Sequence, residues 1–135
     1  MRERGSQSYA IDVHVDGVTS GGGNYTPTSF KWNGAFEASF AHLTDTSTGE
    51  LMQLAQSNQN VGTAILHETL QGTPTITLAM TDVRVAAVRE DGDSSDPNGP
   101  SETVVLHFKT ITYTFQSVLP NGQKNGPPVV LTLSK

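Results

Sequence analysis

Cysteine is absent from the 135 residues. Disulfide scaffolds, thiolate zinc sites and cysteine nucleophiles are excluded together, and a chain of this length buries a core without a covalent staple. Basic residues are scarce: 8 Lys+Arg stand against 13 Asp+Glu, a formal net charge of -5, and no Lys/Arg cluster is longer than the pair Arg2 and Arg4. That balance gives no electrostatic basis for a phosphate-tracking nucleic-acid surface or for a membrane-surface protein. Long apolar runs are missing too. Stretches such as Val129-Val130-Leu131 and Val85-Ala86-Ala87-Val88 are far too short for a transmembrane helix or a signal-peptide core, so no membrane insertion is expected. The sequence predicts a protein made in the cytoplasm which, if it leaves the cell, uses a route that reads no amino-terminal signal.

What is present points to strands. There are 13 Gly and 7 Pro among many Ser and Thr, and the apolar residues mostly alternate, which is the period of a half-buried strand. Tyr9, Ile11, Val13 and Val15 alternate with Ala10, Asp12, His14 and Asp16. Thr19-Ser20-Gly21-Gly22-Gly23-Asn24 reads as a flexible, exposed excursion, and Pro27 keeps the residue before it extended. Phe30, Trp32, Phe36 and Phe40 then share one face of a long strand or a hairpin bent at Gly34. Further strands are predicted at about 61 to 70, 74 to 89, 102 to 118 and 128 to 134. Residues 1 to 135 read as one domain, with Met1 to Ser6 an arm, natural or left from cloning, that fits no strand.

One helix is signalled. Ser47-Thr48-Gly49-Glu50 has the spacing of a capping box, in which hydroxyl and carboxylate each satisfy an orphan backbone N–H. Leu51, Met52 and Leu54 are expected to lay the short helix on the sheet, with its end near Asn58 to Asn60.

Two predicted strands change phase. Ile76, Leu78 and Met80 are even, but Val83, Val85 and Ala87 are odd; Val104, Leu106 and Phe108 are even, but Ile111, Tyr113 and Phe115 are odd. Such a switch means either a bulge or a strand that buries first one face and then the other. Long bent strands of this kind close small barrels, and they also suit a subunit that covers its outer face with a neighbour. The expected class is mainly β: a small closed barrel of two packed antiparallel sheets with one short flanking helix.

Chemistry has little to stand on. Asp91, Asp93, Asp96 and Asn98 offer oxygen ligands to a hard cation, but no glutamate closes the loop as in an EF-hand, and a solvated acidic turn is the better reading. His14, His42, His67 and His107 lie on four segments without paired spacing and read as surface or interface residues; Asp12 near His14 reads as a solvated strand face. No Gly-x-Ser-x-Gly elbow is present, and Gly21-Gly22-Gly23 neither opens a helix nor precedes a Lys-Ser/Thr pair, so neither a serine nucleophile nor a phosphate cradle is expected. The aromatic stripe from Phe30 to Phe40 reads as core rather than as a stacking platform. No enzyme activity, metal or cofactor is expected.

The second half resembles a known family. Leu78-Ala79-Met80-Thr81-Asp82-Val83-Arg84-Val85-Ala86-Ala87-Val88, a Gly/Asp/Ser loop, and Glu102-Thr103-Val104-Val105-Leu106-His107-Phe108-Lys109-Thr110-Ile111-Thr112-Tyr113-Thr114-Phe115 are similar to the Hcp (haemolysin-coregulated protein) family of bacterial type VI secretion. Leu119 to Val129, with a Gly-Lys-Gly-like turn at Gly122 to Gly126, resembles the passage to that family's last strand. The resemblance covers residues 61 to 135, and upstream the strand Ile11 to Gly17 and the helix at 47 to 59 occur where the family has its own. It implies a barrel with one helix that forms homo-hexameric rings, stacked into a tube, driven by a contractile sheath and carrying effectors in its lumen. The implied partners are further copies of the chain, sheath, baseplate and spike proteins, and lumenal effectors; a tail-tube protein of a phage-like or extracellular injection particle is the alternative. Closed rings need head-to-tail contacts between unlike patches. Candidates for that contact are Ile76 and Leu78, or Ile111, Tyr113 and Phe115. The segment Thr19, Ser20, Gly21, Gly22, Gly23 and Asn24 is expected to order when rings stack.

Overall fold

A computed structural model of the chain describes residues 9–92 and 94–135; the arm Met1 to Ser6 and Asp93 of the acidic loop lie outside the described residues. Alternation does set the first strand. β1 (Tyr9–Val15) turns Val13 and Val15 into the core and runs antiparallel to β5 (Asn60–Leu70), with Val13 opposite Leu66. The next pieces are β2 (Asn24–Tyr25), β3 (Ser29–Gly34) and β4 (Glu37–Leu43), the last two forming the expected hairpin about Gly34.

The organising element is β6 (Thr73–Asp91), 19 residues long. One edge pairs with β5. The other is divided: its first half, Ile76 to Thr81, pairs with β8 (Thr110–Phe115), and its second half, Arg84 to Asp91, with β7 (Ser101–His107). The phase switch in β6 is a bulge. Gly62 faces Val83 while Ala64 faces Met80, so β6 spends one residue more than its partner there, and Asp82 takes a left-handed φ of 52°. The extra residue keeps Leu78, Met80, Val83 and Val85 all buried although their numbering changes from even to odd. A second slip lies between Val85 and Ala87. The other switch has a different cause: the single strand expected over 102 to 118 is two strands, broken where Phe108 N–H donates to Phe36 O and Lys109 N–H to Thr81 O, at 3.2 and 3.1 Å. β9 (Val129–Ser134) pairs with β8 alone.

Among the described residues all nine strands belong to one sheet, in the order β2-β1-β5-β6-β7-β4-β3 with β8 and β9 branching from β6, and the expected division into two sheets is not seen there. Closure is also achieved differently. The two ends of the path, β2 and β3, follow each other in the chain, separated only by Thr26-Pro27-Thr28. Tyr25 pairs with Val13 of β1, and three residues later Thr28 N–H donates to Ala41 O of β4 at 2.8 Å. Covalent continuity therefore joins the ends where no hydrogen-bond ladder does, and Pro27, which has no N–H to contribute, sits at the kink. Both ends face one core, in which Tyr25 and Phe40 lie 5.2 Å apart and Trp32 stacks on Tyr113 at 5.7 Å.

The helix α1 (Thr48–Ser57) rests on β6 through Leu51 and Leu54; Met52, expected on the same face, is exposed. Its left-handed stop is Asn58. The capping box does not form. Ser47 makes no side-chain cap; its hydroxyl donates to Asp45 and accepts from Tyr25, and Glu50 is used elsewhere.

Candidate functional site

Three places carry side chains that do more than fill the core: the Gly-rich turn, a buried polar row, and an apolar face at the carboxyl-terminal hairpin.

The turn is not a loose excursion. Ser20–Gly23 form a tight kinked turn, with Gly21, Gly22 and Gly23 at φ of 63°, 68° and 73°, a run of left-handed residues that only glycine takes without strain. Gly23 is buried. The turn is tied to α1 by Glu50, whose carboxylate accepts the backbone N–H groups of Thr19 and Ser20 at 2.8 and 2.9 Å and the Thr19 hydroxyl at 3.1 Å. Those donors hold the Glu50 carboxyl below its ordinary range by favouring its charged form. Sequence spacing assigned Glu50 to its own helix; its partners lie some thirty residues upstream.

The polar row crosses three strands. Register places His42 of β4 opposite Glu102 of β7, and Glu102 opposite Glu90 of β6. His42 Nε2 and Glu102 Oε2 are 2.6 Å apart, with His42 4% and Glu102 1% exposed. Thr48, in the first turn of α1, donates to Glu102 Oε1 at 2.8 Å, and Asp45 Oδ2 lies 3.6 Å from His42 Nδ1. Burial, reinforced by the hydrogen bond with Glu90, pushes the Glu102 carboxyl up to about 7, while burial pushes His42 down. Both directions describe a neutral pair, the acid of Glu102 against a neutral imidazole. His42 is thus the exception to the expectation of surface histidines. His14 is partly exposed beside Asn24 and Asp16, and His107 is exposed beside Glu37 at 2.8 Å. The ligand atoms of His42, Asp45 and Glu102 lie within 4.8 Å of one another, one imidazole and two carboxylates. However, the two buried members already satisfy each other, and neither presents an atom to solvent on which a substrate would act. The row fastens α1 to the sheet. No spacing in the sequence announces it, since only the register of β4, β7 and β6 brings the residues together.

The acidic loop behaves as a turn: Asp96 Oδ1 accepts the N–H of Asn98 at 2.8 Å and Asp96 O that of Gly99 at 3.3 Å. Asp91 sits exposed at the end of β6. An open groove lies between Gly17 and the Gln53 and Gln56 side of α1, with Gln59 just past the helix, and no histidine lines it.

The five residues proposed to contact a neighbour separate into two kinds. Leu78 and Ile111 are 1% and 0% exposed and belong to the core of a single chain. Ile76 and Tyr113 pack partly against that core, and Phe115 is 39% exposed. Register explains the gradient. Ile111 faces Leu133, Tyr113 faces Leu131, and Phe115 faces Val129, so these pairs share one face of the β8–β9 hairpin, which begins in the core and runs out of it. Val129, Val130 and Leu131 are 61%, 58% and 48% exposed, on a strand that has a partner on one side only. An apolar edge of this kind is what a chain without neighbours avoids.

The described residues thus form one nine-stranded sheet with one α-helix and an exposed apolar edge at β9. Solved structures share this fold. Hcp1 from Salmonella typhimurium superposes with a TM-score of 0.75 at 22% identity, covering 94% of this chain and 94% of its own. A type six secretion system protein gives a TM-score of 0.81 at 16% identity over 94% and 96% of the two chains. A type VI secretion system effector from Yersinia pestis gives 0.75 at 14% identity over 93% and 99%. The fold is that of the Hcp proteins, and the two longer segments that carry the sequence resemblance, Leu78 to Val88 and Glu102 to Phe115, lie on β6, β7 and β8. No family model matches the chain, and no curated protein matches it in sequence.

Proposed function

We propose that the chain is a structural subunit of a type VI secretion tube, forming hexameric rings that stack and leave the cell with effectors in the lumen. The observation that carries this reading is the end-to-end agreement with Hcp1 and with a type six secretion system protein, over 94% of this chain in both cases. Two features support it. His42 and Glu102 are buried and bonded to each other, and the exposed hydrophobic strand calls for a neighbour. Among the described residues no helix is long and apolar enough to cross a membrane, and export through a contractile machine needs none. Its partners would be further copies, the sheath, baseplate and spike proteins, and lumenal effectors. The role is structural, with no cofactor.

The test is dependence on the machine. An epitope-tagged copy expressed in a bacterium with an active type VI system, lacking its own tube subunit, should restore export and appear in the medium. Deleting the sheath should abolish both. Export that persists without the sheath would overturn the reading.

A further inference from the structure

β1 and β5 turn one face inward and one outward. Val13 and Leu66 are buried opposite each other, so the neighbouring Asp12, His14 and His67 point the other way. Register sets Asp12 directly opposite His67, and His14 follows Asp12 on the same face of β1. Together with Asn24, Thr26 and Ile65 they line one hollow of about 410 Å³. No Lys or Arg lines it, and the exposed Asp16 adds a second carboxylate beside it, with Oδ1 3.8 Å from His14 Nε2.

His14 is already oriented. Asn24 points its amide nitrogen at Gly21 O, 3.5 Å away, and its Oδ1 at His14 Nδ1, 2.9 Å away. A carbonyl oxygen only accepts, so in the neutral ring Nδ1 carries the proton and Nε2 keeps its lone pair. That is how a histidine is held for a metal: one ring nitrogen donates to an oxygen and the other is left to ligate. A merely solvated strand face would leave the tautomer unset.

We propose that Asp12, His14 and His67 form a site for a divalent transition-metal ion, zinc by its chemistry, on the outer face of the β1–β5 pair. Directly opposed side chains have Cβ atoms about 4.5–5.5 Å apart and diagonal ones, as His14 and His67 are, roughly 7 Å, spans that ligand bonds of about 2.0–2.2 Å bridge. His14 binds through Nε2 and Asp12 through a carboxylate oxygen, with Asp16 or water completing four-coordination. Two imidazoles select zinc, cobalt or nickel over calcium and magnesium, which take oxygen sets. Among the described residues only the buried row already gathers three ligand atoms within 4.8 Å of one another, and there His42 and Glu102 are bonded to each other away from solvent. Here the ion gathers its ligands by rotating solvent-facing side chains over a fixed register. It ties β1 to β5 beside the passage from Tyr25 to Thr28 that joins the ends of the sheet. The ion is a structural staple with no reaction to serve, and the inference is independent of the tube reading.

Zinc alone is the probe. A chain without a polyhistidine tag, stripped with chelator and dialysed, is titrated with zinc chloride in a calorimeter. One equivalent should bind, and zinc should raise the melting temperature. His14→Ala and His67→Ala should each weaken binding by about a hundredfold or more and remove the rise in melting temperature, while Asn24→Ala, which removes an orienting partner, should weaken it about tenfold. His107→Ala and Asp45→Asn should bind zinc as the unaltered chain does, and melting without zinc checks that each variant folds. Cobalt in place of zinc should give the visible absorption of a four-coordinate ion, abolished by His67→Ala. Zinc affinity unaltered by His14→Ala or by His67→Ala, affinity lost with Asp45→Asn instead, or no binding at millimolar zinc would overturn the site.

Discussion

The carboxylate of Glu50 and the backbone N–H of Thr19 are 2.8 Å apart, a bond that joins the first turn of α1 to the Gly-rich turn after β1. With the Ser20 N–H at 2.9 Å on the other oxygen, one side chain fixes a segment that its composition alone would leave mobile. Because the acceptor is charged and partly solvent-exposed, Glu50→Gln should cost about 1 to 2 kcal/mol. It should also raise amide exchange at Thr19 and Ser20 without changing exchange in β5. Unchanged exchange at those two amides would show that the turn holds itself.

Gly23 tests the same turn from its backbone. Its φ is 73°, and a Cβ there would lie 3.0 Å from Val18 O and nearer still to Val15 O, both backbone atoms that cannot rotate away. Gly23→Ala should therefore destabilise by more than the ~1 kcal/mol of left-handed strain alone, on the order of 3 kcal/mol. Gly21→Ala, where nothing lies within 4 Å, should cost only the strain. Equal melting temperatures for the two variants would contradict the packing described.

The residues proposed at the subunit contact divide experimentally. Ile111→Ala empties a fully buried site and should cost about 2 to 5 kcal/mol in chemical denaturation at any protein concentration. Phe115→Ala, at a site 39% exposed, should cost about 1 kcal/mol or less in the dissociated chain and act chiefly on assembly. A Phe115 variant as unstable as the Ile111 variant would place Phe115 in the core.

Glu102 predicts a pH dependence. Its carboxyl is raised to about 7 from an ordinary 4.5, so the folded state holds a proton that the unfolded chain releases. The stability this adds is complete below the unfolded value and is lost as pH rises through the folded one, between about pH 4.5 and 7.5. Glu102→Gln keeps a neutral partner for His42 and Thr48 and does not titrate. The melting temperature of the variant relative to the unaltered chain should then rise steadily from pH 5 to 8, with His42 contributing to both. A difference that is flat with pH would mean that Glu102 is charged throughout.

Much of this was legible from pattern. Period-two alternation marked β1 and both halves of β6, and the change of phase between Met80 and Val83 left a bulge or a change of buried face as the alternatives, between which the pairing with β5 decides for a bulge beside Asp82. The same pattern misread Leu78 and Ile111 as available to a neighbour, because periodicity reports a shared face but not whether that face has left the core. It is the pairing of β8 with β9 that shows the face emerging from Ile111 to Phe115. The motif at Ser47 to Glu50 failed for a related reason: Glu50 has stronger donors available in Thr19 and Ser20, from a segment that only the fold brings near. His42, Glu102 and Glu90 were invisible for want of register, a long-range property that local spacing does not encode.

The most direct test of the account is the mass of the unaltered protein in solution by light scattering behind size exclusion, across a hundredfold range of concentration. The account predicts a species of six subunits that persists on dilution, with larger stacks as concentration rises. A monomer throughout the range would contradict it.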